Sequence, residues 1–207
     1  MPLKQQTNYQ LAFDRALEKV RQQNPKTLEA LGAVGTGAGH WELPVLNAQF
    51  AIAVNEGRVV VSGGDTPRIE WQILALHYLS GEPPWPMPDR WLSFGDFPAA
   101  RGYEPVYRGR VLGRLCGTVG RDRSTFIEAA QRIGGARVDW GDAGFRFTIF
   151  PKLPIILVWY AGDGELGPGA SCLYPSNTLS LLPVEDMVVL SEQLIGRLQG
   201  KGWQRHA

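Results

Sequence analysis

Phe145-Arg146-Phe147-Thr148-Ile149-Phe150-Pro151-Lys152-Leu153-Pro154-Ile155-Ile156-Leu157-Val158-Trp159-Tyr160 is the stretch whose reading decides the fold. Phe145, Phe147 and Ile149 alternate with Arg146 and Thr148, the period of a strand with one face in water. Ile155 to Tyr160 is instead an unbroken apolar run of β-branched and aromatic residues, as in a strand buried on both faces. The two strands, joined through Pro151 to Pro154, are the expected heart of a sheet. The second runs out into Ala161-Gly162-Asp163-Gly164-Glu165, which sets two carboxylates at the mouth of the most apolar segment of the chain. That turn is a site candidate. It is equally explained as a solvated turn, with Gly162 and Gly164 for backbone freedom and the acids for solubility.

Working outward, Ala136 to Trp140 reads as a further strand, with Gly141-Asp142-Ala143-Gly144 turning into Phe145. In an antiparallel sheet Asp142 is expected at the opposite end of the hairpin arm from Asp163 and Glu165. From Glu165 onward a loop leads to Pro183, where Glu185 and Asp186 favour the positive end of a closing helix that carries Met187, Leu190, Leu194 and Leu198 as a stripe to about Gln199. Upstream, Asp122 caps a helix with Phe126, Ile127, Ala130 and Ile133 on one face, ended by Gly134-Gly135. Arg121, Arg123, Ser124 and Thr125 around that start could hold an anion, but Asp122 would repel it, and capping is the simpler role. Tyr103 to Leu115 has helical spacing interrupted by Gly109 and Gly113.

The N-terminal half is read the same way. Tyr9, Ala12, Phe13, Ala16, Leu17 and Val20 recur at three and four, predicting a helix over Thr7 to Gln23 with Thr7-x-x-Gln10 as a capping box. Asn24 and Pro25 open a short helix over Lys26 to Leu31. Gly35-Thr36-Gly37-Ala38-Gly39 lacks a following Gly-Lys-Ser/Thr and precedes strand-like residues, so a flexible connector is expected there rather than a phosphate loop. Gln49 to Val54 and Arg58 to Ser62 flank Asn55-Glu56-Gly57 as a β-hairpin. Thr66 as cap and Pro67 at the first position predict a helix through Ile69, Trp71, Ile73, Leu74, Leu76, Tyr78 and Leu79, apolar nearly all round and therefore central. The proline-rich segment Pro83 to Pro88 must be extended, a rigid crossing.

His77 lies on that central helix and is the histidine of most interest, as a ligand or acid/base group, or as a semi-buried histidine bonded to backbone or to a carboxylate. His40 falls in an expected loop and His206 in the tail. Cys116 and Cys172 supply neither a disulfide framework nor metal-ligand spacing, and no metal site is expected. The run from Gly169 to Leu173 lacks a Gly-x-Ser-x-Gly elbow. A net charge of +1 argues against nucleic acid as an obligatory partner, although Arg101, Arg108, Arg110, Arg114, Arg121, Arg123 and Arg132 make a local positive face possible. No signal peptide is evident, and the longest apolar run is about half the roughly 20 residues of a membrane helix, so a cytoplasmic protein with no membrane contact is expected.

The fold class that follows is α+β: a mostly antiparallel sheet packed on a central buried helix with flanking helices, residues 1–200 forming one domain and 201–207 a flexible tail, anchored if at all by Trp203. The functional expectation is a non-catalytic binding or accessory module with a small-ligand or cofactor pocket walled by His77, Tyr78 and Trp159 near Asp163 and Glu165. The alternatives are an enzyme using Asp163 or Glu165 with His77 in acid/base chemistry, and a protein-interaction subunit. The cofactor is left unknown and no residue is assigned as catalytic.

Asn8-Tyr9-x-Leu11-Ala12, Leu74-x-Leu76-His77-Tyr78-Leu79, Ser93-Phe94, Gly102-Tyr103, Gly141-Asp142-Ala143, Pro151-x-x-Pro154 to Trp159, Asp163-x-Glu165 and Leu182-Pro183-x-Glu185-Asp186, in that order, resemble an uncharacterised family of unknown function. The resemblance implies relatives mostly in anaerobic bacteria and archaea, some with an extra domain ascribed to an iron–sulfur cluster, and through them anaerobic redox, corrinoid or one-carbon metabolism. This chain departs from the pattern at Leu166-Gly167, where Phe-Pro is expected, and at Tyr174-Pro175, where Phe-Asp is expected. The missing acid at Pro175 weakens a shared carboxylate site. With two cysteines the chain cannot hold a four-cysteine cluster on its own.

Overall fold

A computed structural model describes residues 3–163 and 165–204, the side chains of residues 3–7 excepted. The chain forms α1 (Leu3–Gln22), α2 (Pro25–Ala30), strands β1 (Val34–Gly37), β2 (His40–Val45), β3 (Ala48–Ala53) and β4 (Arg58–Val61), and helix α3 (Ile69–Leu79). After β5 (Trp91–Ser93) come two short 3-10 turns, α4 (Glu104–Tyr107), a π-helical segment over Arg108–Gly113, α5 (Arg114–Cys116) and α6 (Arg123–Arg132). The last part holds β6 (Ala136–Val138), β7 (Ala143–Phe150), β8 (Leu153–Tyr160), β9 (Gly169–Pro175) and α7 (Val184–Leu198). Two antiparallel sheets result, ordered β1-β2-β3-β4 and β5-β9-β8-β7-β6, and the fold is α+β. They touch where Leu46 N donates to Ile149 O at 2.9 Å.

The apolar ribbon read from the sequence is the centre of the larger sheet. Ile155, Ile156, Leu157, Val158 and Trp159 are all buried, since β8 is flanked on both edges by β7 and β9 and covered on both faces. α3 is as central as its composition demands: only Ile69, Glu70 and His77 of its eleven residues escape full burial. Tyr78 shows how the helix is tied in. Its ring stacks on Phe150 at 4.5 Å, its hydroxyl donates to Leu31 O at 2.6 Å and accepts from Lys152 N at 3.1 Å, so one side chain joins α2, α3 and the β7–β8 turn.

Several sequence expectations are corrected. Residues Gly35 to Gly39 are no connector but β1 and its turn into β2, the edge pairing Gly35 with Trp41, and His40 is the first residue of a strand with Nε2 3.2 Å from Glu56. α3 starts at Ile69 rather than Pro67, because the Gln72 amide donates to Pro67 O at 2.7 Å and holds that residue outside the helix. α1 begins at Leu3, upstream of Thr7, whose side chain lies outside the described residues. The interrupted helix near Gly109 and Gly113 is continuous in path but widens to a π turn between those glycines. Gly169 to Pro175 is a strand, β9, paired between β5 and β8 rather than a loop. Asp142 and the acidic turn sit at the same end of the β7–β8 hairpin, because Ala143 pairs with Trp159; Ala161 N donates to Asp142 Oδ2 at 2.7 Å. Other expectations hold: Asp122 Oδ1 accepts from Thr125 N at 2.8 Å, Asn24 caps α2, and Gly57 takes φ +65° in the β3–β4 turn.

Tyr107, Tyr174 and Ser191 form a buried polar chain linking α4, β9 and α7. The two phenols are 2.8 Å apart, Tyr174 also meets Ser191 Oγ, and Ser191 Oγ donates to Met187 O at 2.7 Å. Burial pushes the phenols of Tyr78, Tyr107 and Tyr174 well above the usual range. The folded state therefore keeps protons that the unfolded chain releases. The stabilisation is complete below about pH 10, the ordinary tyrosine pKa, and is lost as pH rises beyond it. In an alkaline titration followed at 295 nm, these three phenols are expected to ionise only together with loss of far-UV circular dichroism; their ionisation in a fully folded protein would contradict the burial. Tyr78→Phe, which unpairs Leu31 O and Lys152 N, is expected to destabilise by about 1–2 kcal/mol in urea unfolding.

Candidate functional site

The last turn of α3 meets the start of α7. His77 leaves α3 toward α7, and its Nδ1 lies 2.6 Å from Asp186 Oδ2. The pair spans 109 residues of sequence. Asp186 occupies the first turn of α7 and is 8% exposed, while the His77 side chain keeps 30% of its surface. A carboxylate so nearly dry is costly unless compensated. Here the imidazole N–H and the positive end of the α7 dipole both favour it.

Beside His77 opens a groove of about 500 Å³, lined among the described residues by Lys19, Ser80 and Gly81 on one side and by residues 179 to 183 on the other. The far wall exists because Thr178–Ser180 makes one 3-10 turn and Leu181 to Pro183 then swing into α7. That wall is mostly apolar, with Leu179 exposed and Leu181 and Leu182 buried. Both serine hydroxyls are already committed: Ser80 Oγ donates to Leu76 O and Ser180 Oγ to Asn177 O, each at 2.7 Å. Among the described residues no hydroxyl or thiol bonds His77 Nε2. A carboxylate oxygen accepts, so Nδ1 is the donor to Asp186 and Nε2 is the ring nitrogen left for the groove.

The structure does not gather the other sequence candidates around His77. Tyr78 turns the opposite way into the core, as described above. Trp159 is buried, and its indole donates to Gly120 O at 2.7 Å. Asp163 and Glu165 are exposed at the far end of β8, and Asp163 Oδ1 accepts from Glu165 N at 3.0 Å and Leu166 N at 2.8 Å. Those two amides hold the Asp163 carboxyl below the usual range. Gly162 is required there for space, since a Cβ would fall 2.1 Å from Leu166 O. None of these four residues lines the His77 groove. His206 lies outside the described residues.

Sequence reasoning missed Asp186 as a partner and Lys19 and Ser180 as groove residues. The signal available was indirect: a carboxylate partner for His77 was one of its open readings, and Asp186 was visible as an acid at a helix start. Nothing in the spacing joins the two.

A model of a domain of unknown function, DUF3786, matches residues 24–197. The chain belongs to that family. No curated protein and no solved structure matches it. The DUF3786 span takes in His77, Asp186 and the far wall of the groove, and leaves Lys19 outside. Among the described residues of this DUF3786 protein no helix is long and apolar enough to cross a membrane.

Removing the acid while keeping the imidazole isolates their coupling. Asp186→Ala strands a partly buried N–H and is expected to cost about 1–3 kcal/mol in denaturant unfolding, with Asp186→Asn milder because the amide oxygen still accepts. Equal stability of Asp186→Ala and the parent would show the contact to be idle.

Proposed function

We propose that this DUF3786 protein is a small-ligand-binding module, non-catalytic or accessory, whose ligand occupies the groove beside His77. The observation that carries the reading is the Asp186-oriented imidazole set at the edge of a groove of about 500 Å³, a size ordinary for small-molecule sites. The lining defines the chemistry of the ligand. Leu179, Leu181, Leu182 and Pro183 suit an apolar body, while His77 Nε2 and the Lys19 ammonium suit a hydroxyl or carboxylic acid at one end. Asp186 acts as a positioning residue that pins the imidazole in one tautomer before the ligand arrives, lowering the ordering cost of binding.

A second reading rests on the same His–Asp pair. An imidazole held by a carboxylate can take a proton from a bound ligand, so acid/base catalysis by His77 with Asp186 behind it is the enzymatic alternative, in place of the Asp163 or Glu165 partnership expected from sequence. The committed Ser80 and Ser180 hydroxyls favour binding over nucleophilic chemistry. Links to anaerobic redox or one-carbon metabolism rest on the family resemblance alone, and a protein-partner role on aromatics exposed at the surface.

Thermal shift and calorimetry with a panel of medium-chain carboxylic and hydroxy acids test the proposal. Ligands that raise the parent's midpoint are expected to lose about tenfold or more in affinity in His77→Ala and less in Asp186→Asn. Trp85 reports independently, since its indole lies 3.5 Å from where a Gly81 Cβ would stand. Binding that is unchanged in His77→Ala, or absent across the panel, would overturn the assignment of the groove.

A further inference from the structure

The opposite end of α7 carries a second cluster that the groove does not use. Arg68, Arg114, Arg132, Arg197 and Lys201 converge around the last turn of that helix. The Arg114 guanidinium and the Lys201 stem stand 3.7 and 3.5 Å from where a Cβ would project at Gly196, so both lie across the same glycine. Arg68, Arg197 and Lys201 share a small cleft with Trp71, and the Arg197 guanidinium stacks 4.2 Å from the Trp203 ring centroid. Among the described residues none of the five forms an ion pair with a carboxylate.

Helix capping explains part of this arrangement. Arg132 Nη2 donates to Leu198 O, Arg197 Nη1 to Lys201 O, Arg114 Nη2 to Gln199 Oε1 and Arg68 Nε to Gln204 O. Cations at a helix C-terminus also answer its negative end. One or two would suffice. The bonds engage only one nitrogen of each guanidinium, each of which has five N–H donors. Arg197 Nε is inaccessible to water and unpartnered. The cations also oppose one another: Arg114 and then burial and Arg68 pull the Lys201 ammonium down, and burial followed by Arg132 does the same to Arg197. Among the described residues the cluster repels itself, holds unused guanidinium donors and shows no ion pair with an acid.

We infer that the C-terminal end of α7 is a binding site for a compact polyanion of the phosphate class, held by Arg114, Lys201, Arg68, Arg132 and Arg197. Guanidinium forks match two oxygens of a phosphate at once, and the ammonium supplies a point charge. The cleft itself has room for only about 10 Å³, so the anion lies across its mouth. A small anion fits better than a nucleic-acid strand because Arg114, Lys201, Arg68 and Arg197 gather around Gly196 instead of following a line of repeating phosphates. The site stands or falls independently of the groove at His77.

Titration of the whole chain with sodium pyrophosphate, against sodium chloride at equal ionic strength, is the test. The expected result is a saturable rise in thermal midpoint together with a tryptophan fluorescence change through the Arg197–Trp203 stack. Lys201→Gln and Arg114→Gln are each expected to weaken the effect about tenfold. Arg101→Gln, on a different surface, is expected to leave it intact. Lys201→Gln without pyrophosphate is expected not to lower the midpoint, since it relieves repulsion; a purely structural lysine would lower it. A rise no greater than that in sodium chloride, retention of the effect in both variants, or tighter binding of an oligothymidylate than of pyrophosphate would overturn the inference.

Discussion

A helix with almost no polar face has to be enclosed, and α3 sets that requirement for the whole molecule. Trp71, Ile73, Leu74, Leu76, Tyr78 and Leu79 point in every direction around its axis and are all buried. Each such side chain taken from water is worth about 1.5–3 kcal/mol, so no single layer can satisfy the helix. α1, α7 and the β7–β8 turn close on it together. Toward the end of the helix the enclosure is incomplete at His77, and the groove opens there.

α7 answers the same constraint and carries charge at both ends. Its apolar residues Met187, Leu190, Leu194 and Leu198 are completely buried, while acid stands at its start and base at its end, the polarity that a helix dipole favours. Asp186 thereby meets both the positive end of the helix and the ring of His77 in a nearly dry setting. Ten residues later, roughly 15 Å along the axis, Gly196 leaves room for cations to crowd together. One rigid element thus positions two polar sites that share no residue. Between them Ser191 ties the helix to Tyr174 and Tyr107, so the axis is anchored by hydrogen bonds as well as by packing.

The acidic turn of Asp163 and Glu165 shows why conspicuous carboxylates can mislead. Its prominence in sequence comes from following the most apolar strand of the chain, but a strand buried on both faces must leave the core before it can turn. The turn therefore projects into water, and Asp163 spends its carboxylate on the amides of Glu165 and Leu166. The acid near the candidate site is Asp186, which sequence shows only as one of two acids at a helix start.

Local pattern was enough to determine the α+β class, the β3–β4 and β7–β8 hairpins, the central position of α3, the Asn24 and Asp122 caps and the stripe of α7, because each follows from periodicity or capping within a few residues. β1 and β9 were hidden, since Gly35 to Gly37 and Gly169 to Cys172 are small residues whose extended form is imposed by neighbouring strands. The pairing of His77 with Asp186, the groove between residues 77–81 and 179–183, and the gathering of Arg68, Arg114, Arg132, Arg197 and Lys201 were decided by tertiary structure alone. Their separations along the chain run to a hundred residues and more, and periodicity, which records only which way a side chain faces, carries no information about what it meets.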